Sequence, residues 1–145
     1  MKEKSTKVIF DTNVWISFLI GKRLSIIKKY IVEGNILIVT TPQLISEIET
    51  VTQREKLKKY FPKQSVLELI ALLDTIALKI DIEPTHFISR DPKDNFLLDL
   101  VEFSKADYLV TGDKDLLALN PFMTAAILKP DEFEIELLEI KKKEE

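Results

Sequence analysis

The sequence predicts a single α/β domain in which helices cover both faces of a parallel sheet. Short, wholly apolar runs alternate along the chain with longer segments whose apolar residues recur at helical spacing. Continuous apolar runs are typical of strands that are buried on both faces of a sheet. The length of 145 residues fits one domain, which we expect to span residues 1–145, with residues 141–145 as a frayed tail.

The first half of the chain predicts two buried strands, at residues 7–10 and 36–39. Thr41 and Pro42 have the residue types preferred at an N-cap and at the first helical position, so a helix is expected to begin there. The other helices of this half are identified by apolar spacings of three and four, and they cover residues 12–20, 25–33 and 65–77. The inner face of the last of these is predicted to carry Leu67, Ile70, Leu73, Ile76 and Ala77.

The second half continues the alternation. Its strands are predicted from apolar runs at residues 79–82, where the strand would be an edge strand, and at 106–110 and 125–128. Its helical segments are predicted at residues 91–104, 115–119 and 131–140. Strands and helices in this order favour one doubly wound sheet, in which ligands bind at the carboxyl ends of the strands.

The composition of the chain excludes several kinds of metal site and makes some classes of protein improbable. The chain has no cysteine and one histidine, His86, which excludes thiolate and multi-histidine zinc sites and argues against a Ser-His-Asp hydrolase. No apolar run reaches membrane-spanning length, and the first residues lack the apolar region of a signal peptide, so we expect a cytoplasmic location and no membrane partner. The net charge of −3 does not exclude a nucleic-acid partner if basic residues cluster locally.

Acidic residues occur where the predicted strands end. Asp11 and Asp113 each follow an apolar strand, Asp94 lies near the start of a helix, and Glu47 lies inside another. Because the carboxyl ends of parallel strands share one edge, these carboxylates can meet there. Hard oxygen ligands suit Mg²⁺ or Mn²⁺, which can activate a water for attack on a phosphodiester.

Each acid also has a structural interpretation. Asp11, Asp91 and Asp113 could cap the helices that follow them, a role worth about 1 kcal/mol. Glu47 could lie on a solvated helix face, with Glu49 two residues further on. Side chains two residues apart point about 200° apart on a helix, so only one of these two glutamates can face a site.

The chain resembles the PIN domain family, in the VapC-like branch of proteins described as toxin components of toxin–antitoxin systems. The motifs that carry the resemblance are VIFDTNVWIS, TPQLISEIE, RDPKDNFLLDLVEFSKADYLVTGDKDLL and the P-x-E-F at residues 130–133, and they follow one another in the family's order over nearly the whole chain. The resemblance implies a three-layer α/β/α sandwich with a small parallel sheet and a metal-dependent ribonuclease that uses Mg²⁺ or Mn²⁺. It also implies three partners: RNA, an antitoxin protein and a second copy of the chain.

The resemblance assigns roles to particular residues. The catalytic and metal-binding acids would be Asp11, Glu47, Asp94 and Asp113. The supporting residues would be Thr12, Asn13 and Thr111, which orient carboxylates or a water by hydrogen bonding, and Asp115, an auxiliary acid behind the ligands or a metal ligand through a water. Asp91 is interpreted mainly as a helix cap.

RNA binding requires basic residues near the acids. Arg90 is the preferred single candidate for a phosphate contact, because it lies beside the acidic cluster. Further candidates are the basic residues within 54–63 and those at positions 22, 23, 28 and 29, for which a solvated helix face is an equally good interpretation. Tyr60 and Phe61 could stack on a base but are expected to pack, and Trp15 is expected in the core.

Three rival classes fit less well. A phospho-receiver signalling domain needs paired acids after the first strand, where this chain has Asp11 alone. A phosphatase of the haloacid-dehalogenase type needs D-x-D there, and the chain has Asp11-Thr12-Asn13. A catalytically silent PIN-fold module that only binds RNA would be favoured by loss of one of the four acids, and none is missing.

Overall fold

The computed structural model describes residues 5–21, 24–33, 35–85 and 94–144, which form an α/β domain around a five-stranded sheet. The strands are β1 (Thr6–Phe10), β2 (Ile36–Thr40), β3 (Leu78–Lys79), β4 (Tyr108–Val110) and β5 (Ala126–Leu128). The helices over the same residues are α1 (Thr12–Ile20), α2 (Leu24–Val32), α3 (Pro42–Thr52), α4 (Lys63–Ile76), α5 (Asn95–Ser104), α6 (Lys114–Leu117) and α7 (Pro130–Glu144), with a 3₁₀ helix (Lys58–Tyr60) between α3 and α4. The predicted α/β fold class is therefore confirmed.

The order of the strands places a switch point at the centre of the sheet. All neighbouring strands are parallel, and their order is β3-β2-β1-β4-β5. The chain moves outward from β1 to β3 and then returns to the other side of β1 as β4. The crevice of such a sheet lies where this reversal occurs, outside the carboxyl ends of β1 and β4. A phospho-receiver has the order 2-1-3-4-5, so the observed order excludes that rival.

An aromatic cluster supports β1 on one face of the sheet. The ring of Phe10 makes edge-to-face contacts with Trp15 and Phe18 of α1 and with Phe133 of α7, at centroid distances of 5.1, 5.4 and 5.6 Å. Trp15 is fully buried, as predicted. Because side chains alternate along a strand, the neighbouring Ile9 points to the opposite face, where it is also fully buried. Both faces of β1 are therefore covered.

Some local predictions differ from the structure. The buried residues of α4 are Leu69 and Leu73, whereas Leu67 and Ile76, predicted to face inward, are exposed. This helix has apolar residues on most of its circumference, so its periodicity did not define a single inner face. The last helix continues to Glu144, past its predicted end at residue 140. None of the helices in the described ranges is both long and apolar enough to cross a membrane.

Candidate active site

The two central strands end side by side at the switch point. The backbone N–H of Asp11, just after β1, donates to the carbonyl of Val110 at the end of β4, at 3.1 Å. Thr111 and Asp113 follow Val110 directly. Residues about one hundred positions apart are therefore neighbours at this edge.

Asp11 is held by two hydrogen bonds in a nearly buried position. Its Oδ1 accepts from the backbone N–H of Val14 at 2.8 Å, which caps α1, and its Oδ2 accepts from the hydroxyl of Thr111. The side chain is 6% exposed. Burial raises the pKa of Asp11, and the negative charge of Asp113 raises it further, while the hydroxyl of Thr111 and the backbone N–H groups of Val14 and Asn13 act in the opposite direction. The carboxylates of Asp11 and Asp113 therefore lie close enough to repel each other.

Thr111 links these two acids. Its hydroxyl donates to Asp11 and accepts from the backbone N–H of Asp113 at 3.0 Å. Asp113 in turn caps α6, because its Oδ1 accepts from the backbone N–H of Asp115 at 2.7 Å. The capping interpretation of Asp11 and Asp113 is thus correct, and it leaves each carboxylate at the edge where the strands end.

Glu47 comes to this edge from α3. Its Oε2 accepts a hydrogen bond from the hydroxyl of Thr12 at 2.8 Å, which ties α3 to the first residue of α1. Glu49 is exposed and lines a separate groove of about 370 Å³ between α3 and α4. The choice between the two glutamates, which the sequence left open, is decided by this geometry in favour of Glu47 as the residue facing the crevice.

All four predicted acids line one cavity of about 500 Å³ at the switch point. The residues that the sequence assigned to the site and that line this cavity are Asp11, Thr12, Asn13, Glu47, Asp94 and Asp113. Asp94 occupies the N-cap position of α5. Thr111 lies fully buried behind Asp11, and Asp115 contributes its backbone N–H to Asp113 without lining the cavity. Arg90 and Asp91 lie outside the described residues, so their predicted roles stay predictions.

The donor set fits a divalent metal ion of the Mg²⁺ type. Four carboxylates and the neighbouring side chains of Thr12 and Asn13 supply oxygen ligands to one cavity. No three Asp, Glu or His side chains within the described ranges converge into a ready-made cluster around a single point. Mg²⁺ commonly keeps several waters and binds through only one or two carboxylates, so this open arrangement fits such an ion.

Arg54, one of the basic residues within 54–63 that the sequence offered as phosphate contacts, lines the same cavity. It follows Glu47 by seven residues, which is close to two turns of a helix and places both on one side of the chain. Thr50 and Val51, at intermediate helical spacings, line the cavity as well. The spacing from Glu47 is the signal that could have identified Arg54, once Glu47 had been chosen over Glu49.

The fold is that of a doubly wound α/β protein with an acidic crevice at the carboxyl edge of its sheet. Comparison with known proteins identifies the family. The family model for the PIN domain matches residues 7–115. The chain therefore belongs to the PIN domain family, whose members are generally nucleases and typically use divalent metal ions.

Relatives and solved structures agree with this assignment. The uncharacterized protein MJ1680 of Methanocaldococcus jannaschii is 32% identical over 127 residues, which cover 83% of this chain and 79% of that protein. The crystal structure of PAE2754 from Pyrobaculum aerophilum matches with a TM-score of 0.63 at 15% identity, over 94% of this chain and 90% of that one. A chain in the structure of VapBC2 from Rickettsia felis, bound to a DNA fragment from its promoter, matches with a TM-score of 0.53 at 15% identity, over 84% of this chain and 98% of that one. At such identity the structural matches show the shared fold.

Proposed function

We propose that this protein is a metal-dependent endoribonuclease that cleaves RNA phosphodiesters with Mg²⁺ or Mn²⁺. The observation that carries the proposal is the convergence of Asp11, Glu47, Asp94 and Asp113 on one cavity at the switch point of the sheet. Membership of a family of nucleases supports it. A module that only binds RNA has no comparable need to place four carboxylates in one crevice.

The chain's own residues would hold and orient the reacting groups. The four acids would hold the metal ion, one or two of them directly and the others through its bound waters. When bound, the ion supplies an activated water and neutralises the charge that develops on the phosphodiester. Thr111 fixes the orientation of Asp11, and Thr12 fixes that of Glu47, each by donating a hydroxyl hydrogen bond to one carboxylate oxygen.

The first prediction compares two glutamates on one helix. Glu47→Gln should lower the rate of single-stranded RNA cleavage roughly 10²-fold or more, because loss of a metal-binding carboxylate removes several kcal/mol of transition-state stabilisation. Glu49→Gln makes the same change in charge two residues away and should leave the rate within about twofold, since Glu49 lines a different groove. Cleavage is measured on a labelled oligonucleotide with Mg²⁺, with Mn²⁺ and with EDTA.

Two results of that assay would contradict the proposal. Cleavage that persists in EDTA would exclude the metal requirement. Equal rates for the wild type, Glu47→Gln and Asp94→Asn would show that the acidic cavity is not the catalytic site.

We propose in addition that the protein acts as the toxin of a toxin–antitoxin pair, with an antitoxin protein as partner. The support is the likeness of its fold to a chain in the VapBC2 structure. The cytoplasmic location and the homodimer are proposed from the sequence and its family resemblance alone. Induced expression of the wild type should arrest bacterial growth, and Glu47→Gln should not. Unimpaired growth with the wild type expressed at the same level would contradict the toxin role, and a monomeric mass in sedimentation would contradict the dimer.

A further inference from the structure

We propose that residues 54–60, at the end of α3, form a binding track for single-stranded RNA that leads out of the acidic cavity. In this track Arg54 contacts a phosphate next to the cleaved bond, and the ring of Tyr60 stacks on an unpaired base. The inference rests on the proposed function for its substrate class. It adds the path of the strand and the residue that selects unpaired RNA.

The charge of this part of the surface is opposite to that of the whole protein. Residues 54–63 carry five basic side chains and one acidic one, a net charge of +4 in a chain whose net charge is −3. Within the part of the chain that the structure describes, none of the five basic side chains forms an ion pair with a carboxylate. They are therefore available to phosphates, which supply most of the affinity in nucleic-acid binding.

Compact turns keep this basic segment near the cavity. Arg54 lines the cavity itself, and its carbonyl accepts from the backbone N–H groups of Leu57 at 2.9 Å and Lys58 at 2.8 Å. The N–H of Tyr60 then donates to the carbonyl of Leu57 at 2.9 Å. Tight turns of this kind advance about 2 Å per residue, so Tyr60 lies on the order of 12 Å from Arg54. An RNA strand whose phosphate is held at the cavity therefore needs only a few nucleotides to reach Tyr60.

Tyr60 and Phe61 are adjacent aromatic residues with opposite environments. Phe61 is 4% exposed and belongs to the core, as predicted, whereas Tyr60 was also expected to pack and is 52% exposed. The ammonium group of Lys59 lies 5.1 Å from the centroid of the Tyr60 ring. An exposed ring beside a cation, among basic side chains that form no ion pair within the described residues, is the combination that single-stranded nucleic-acid binders use as a stacking platform.

Stacking at Tyr60 requires a base that is free of its neighbours. In an A-form duplex the bases are paired and stacked on one another, so a side chain on the surface meets only phosphates and sugar hydroxyls. Arg54 would attract either form of RNA. Tyr60 would add affinity for a single strand only, which makes it the residue that distinguishes the two.

The test is a binding measurement without cleavage. We would measure fluorescence anisotropy of a labelled single-stranded RNA of about 12 nucleotides, and of the same strand in a duplex, with the full chain in EDTA. Tyr60→Ala should raise the Kd for the single strand about 5- to 100-fold and leave the Kd for the duplex unchanged, and Tyr60→Phe should restore most of the affinity. Arg54→Gln should weaken both forms and reduce the slope of log K against log salt for the single strand by about 0.7.

Two control variants change residues that come just before β4, at the amino ends of the strands and so away from the acidic cavity. Phe103→Ala removes another half-exposed aromatic ring. Lys105→Asn removes one positive charge at a residue with φ of 56°, a conformation that asparagine accepts. Both should bind the single strand like the wild type.

The inference is overturned if Tyr60→Ala and Phe103→Ala have equal affinity for the single strand, or if the wild type does not bind it. Failure of the nuclease proposal is distinguishable. The protein could bind single-stranded RNA through Tyr60 without cleaving it in Mg²⁺ or Mn²⁺. That result would support the binding track and contradict the nuclease proposal.

Discussion

Asp11→Asn should abolish RNA cleavage and, in metal-free buffer at neutral pH, raise the free energy of unfolding. The carboxylate of Asp11 is 6% exposed, and burial raises its pKa, with the charge of Asp113 adding to the shift. Holding the ionised form there is therefore a cost to the folded state. Asparagine removes the charge and remains a good N-cap for α1, so the hydrogen bond from Val14 can be kept.

The pH dependence of this difference follows from the sign of the shift. Below the ordinary pKa of an aspartate, the side chain is protonated in both the folded and the unfolded state, and the substitution has little effect. Between that value and the raised pKa in the folded protein, the folded state binds more protons, so the stability contributed by Asp11 falls as pH rises. The advantage of Asp11→Asn should therefore grow with pH across this window and be complete above it.

Urea denaturation of both proteins in EDTA, over a series of pH values, measures this effect. Added Mg²⁺ should then stabilise the wild type and not Asp11→Asn, because binding to the folded state alone shifts the unfolding equilibrium. If Asp11→Asn were less stable than the wild type at every pH, the hydrogen bonds to the Asp11 carboxylate would stabilise the folded state by more than the burial of its charge costs. That result would contradict the view that the acid is retained for chemistry at a cost in stability.

Phe10→Ala should destabilise the protein by about 3–5 kcal/mol, the usual cost of removing a buried phenylalanine. Phe10 is 1% exposed and touches three aromatic rings from α1 and α7. The substitution leaves a cavity between these helices and the sheet and removes three edge-to-face contacts. The free energy of unfolding from urea titration gives the magnitude.

Phe103→Ala is the matched control, since it makes the same change at a half-exposed ring and should cost no more than about 0.5 kcal/mol. Equal losses for the two variants would mean that the aromatic cluster does not anchor β1. Because Phe10 immediately precedes Asp11, we also expect Phe10→Ala to lower nuclease activity at temperatures where it is still folded.

Much of the fold could be predicted because most of its strands are short, continuous apolar runs. The apolar runs that became β1, β2, β4 and β5 are each bounded by polar or turn residues, and the residue types of Thr41 and Pro42 mark the start of α3 correctly. Asp11 and Asp113 could be placed at one edge because each follows a strand of a parallel sheet. The structure brings both into the cavity that these considerations required.

The remaining features depend on contacts that sequence patterns do not contain. Glu47 and Glu49 are equivalent in type and context, and only the packing of α3 against Thr12 distinguishes them. The inner face of α4 was predicted wrongly because Leu67 and Leu69 are equally apolar, and burial depends on what lies opposite. The same limit applies to Tyr60 and Phe61, of which one is exposed and the other buried.

The pairing of β1 with β4 has a consequence for the protein during its synthesis. The backbone N–H of Asp11 donates to the carbonyl of Val110, and its carboxylate accepts from the hydroxyl of Thr111. Both partners are made about one hundred positions later than Asp11, and Asp113 is made after them. Chains emerge at roughly 5–20 residues per second and fold as domains. A nascent chain on the ribosome, surrounded by RNA, therefore carries Asp11 and Glu47 without Thr111 or Asp113 until most of it has been translated. This topology delays assembly of the acidic crevice until most of the chain has been made.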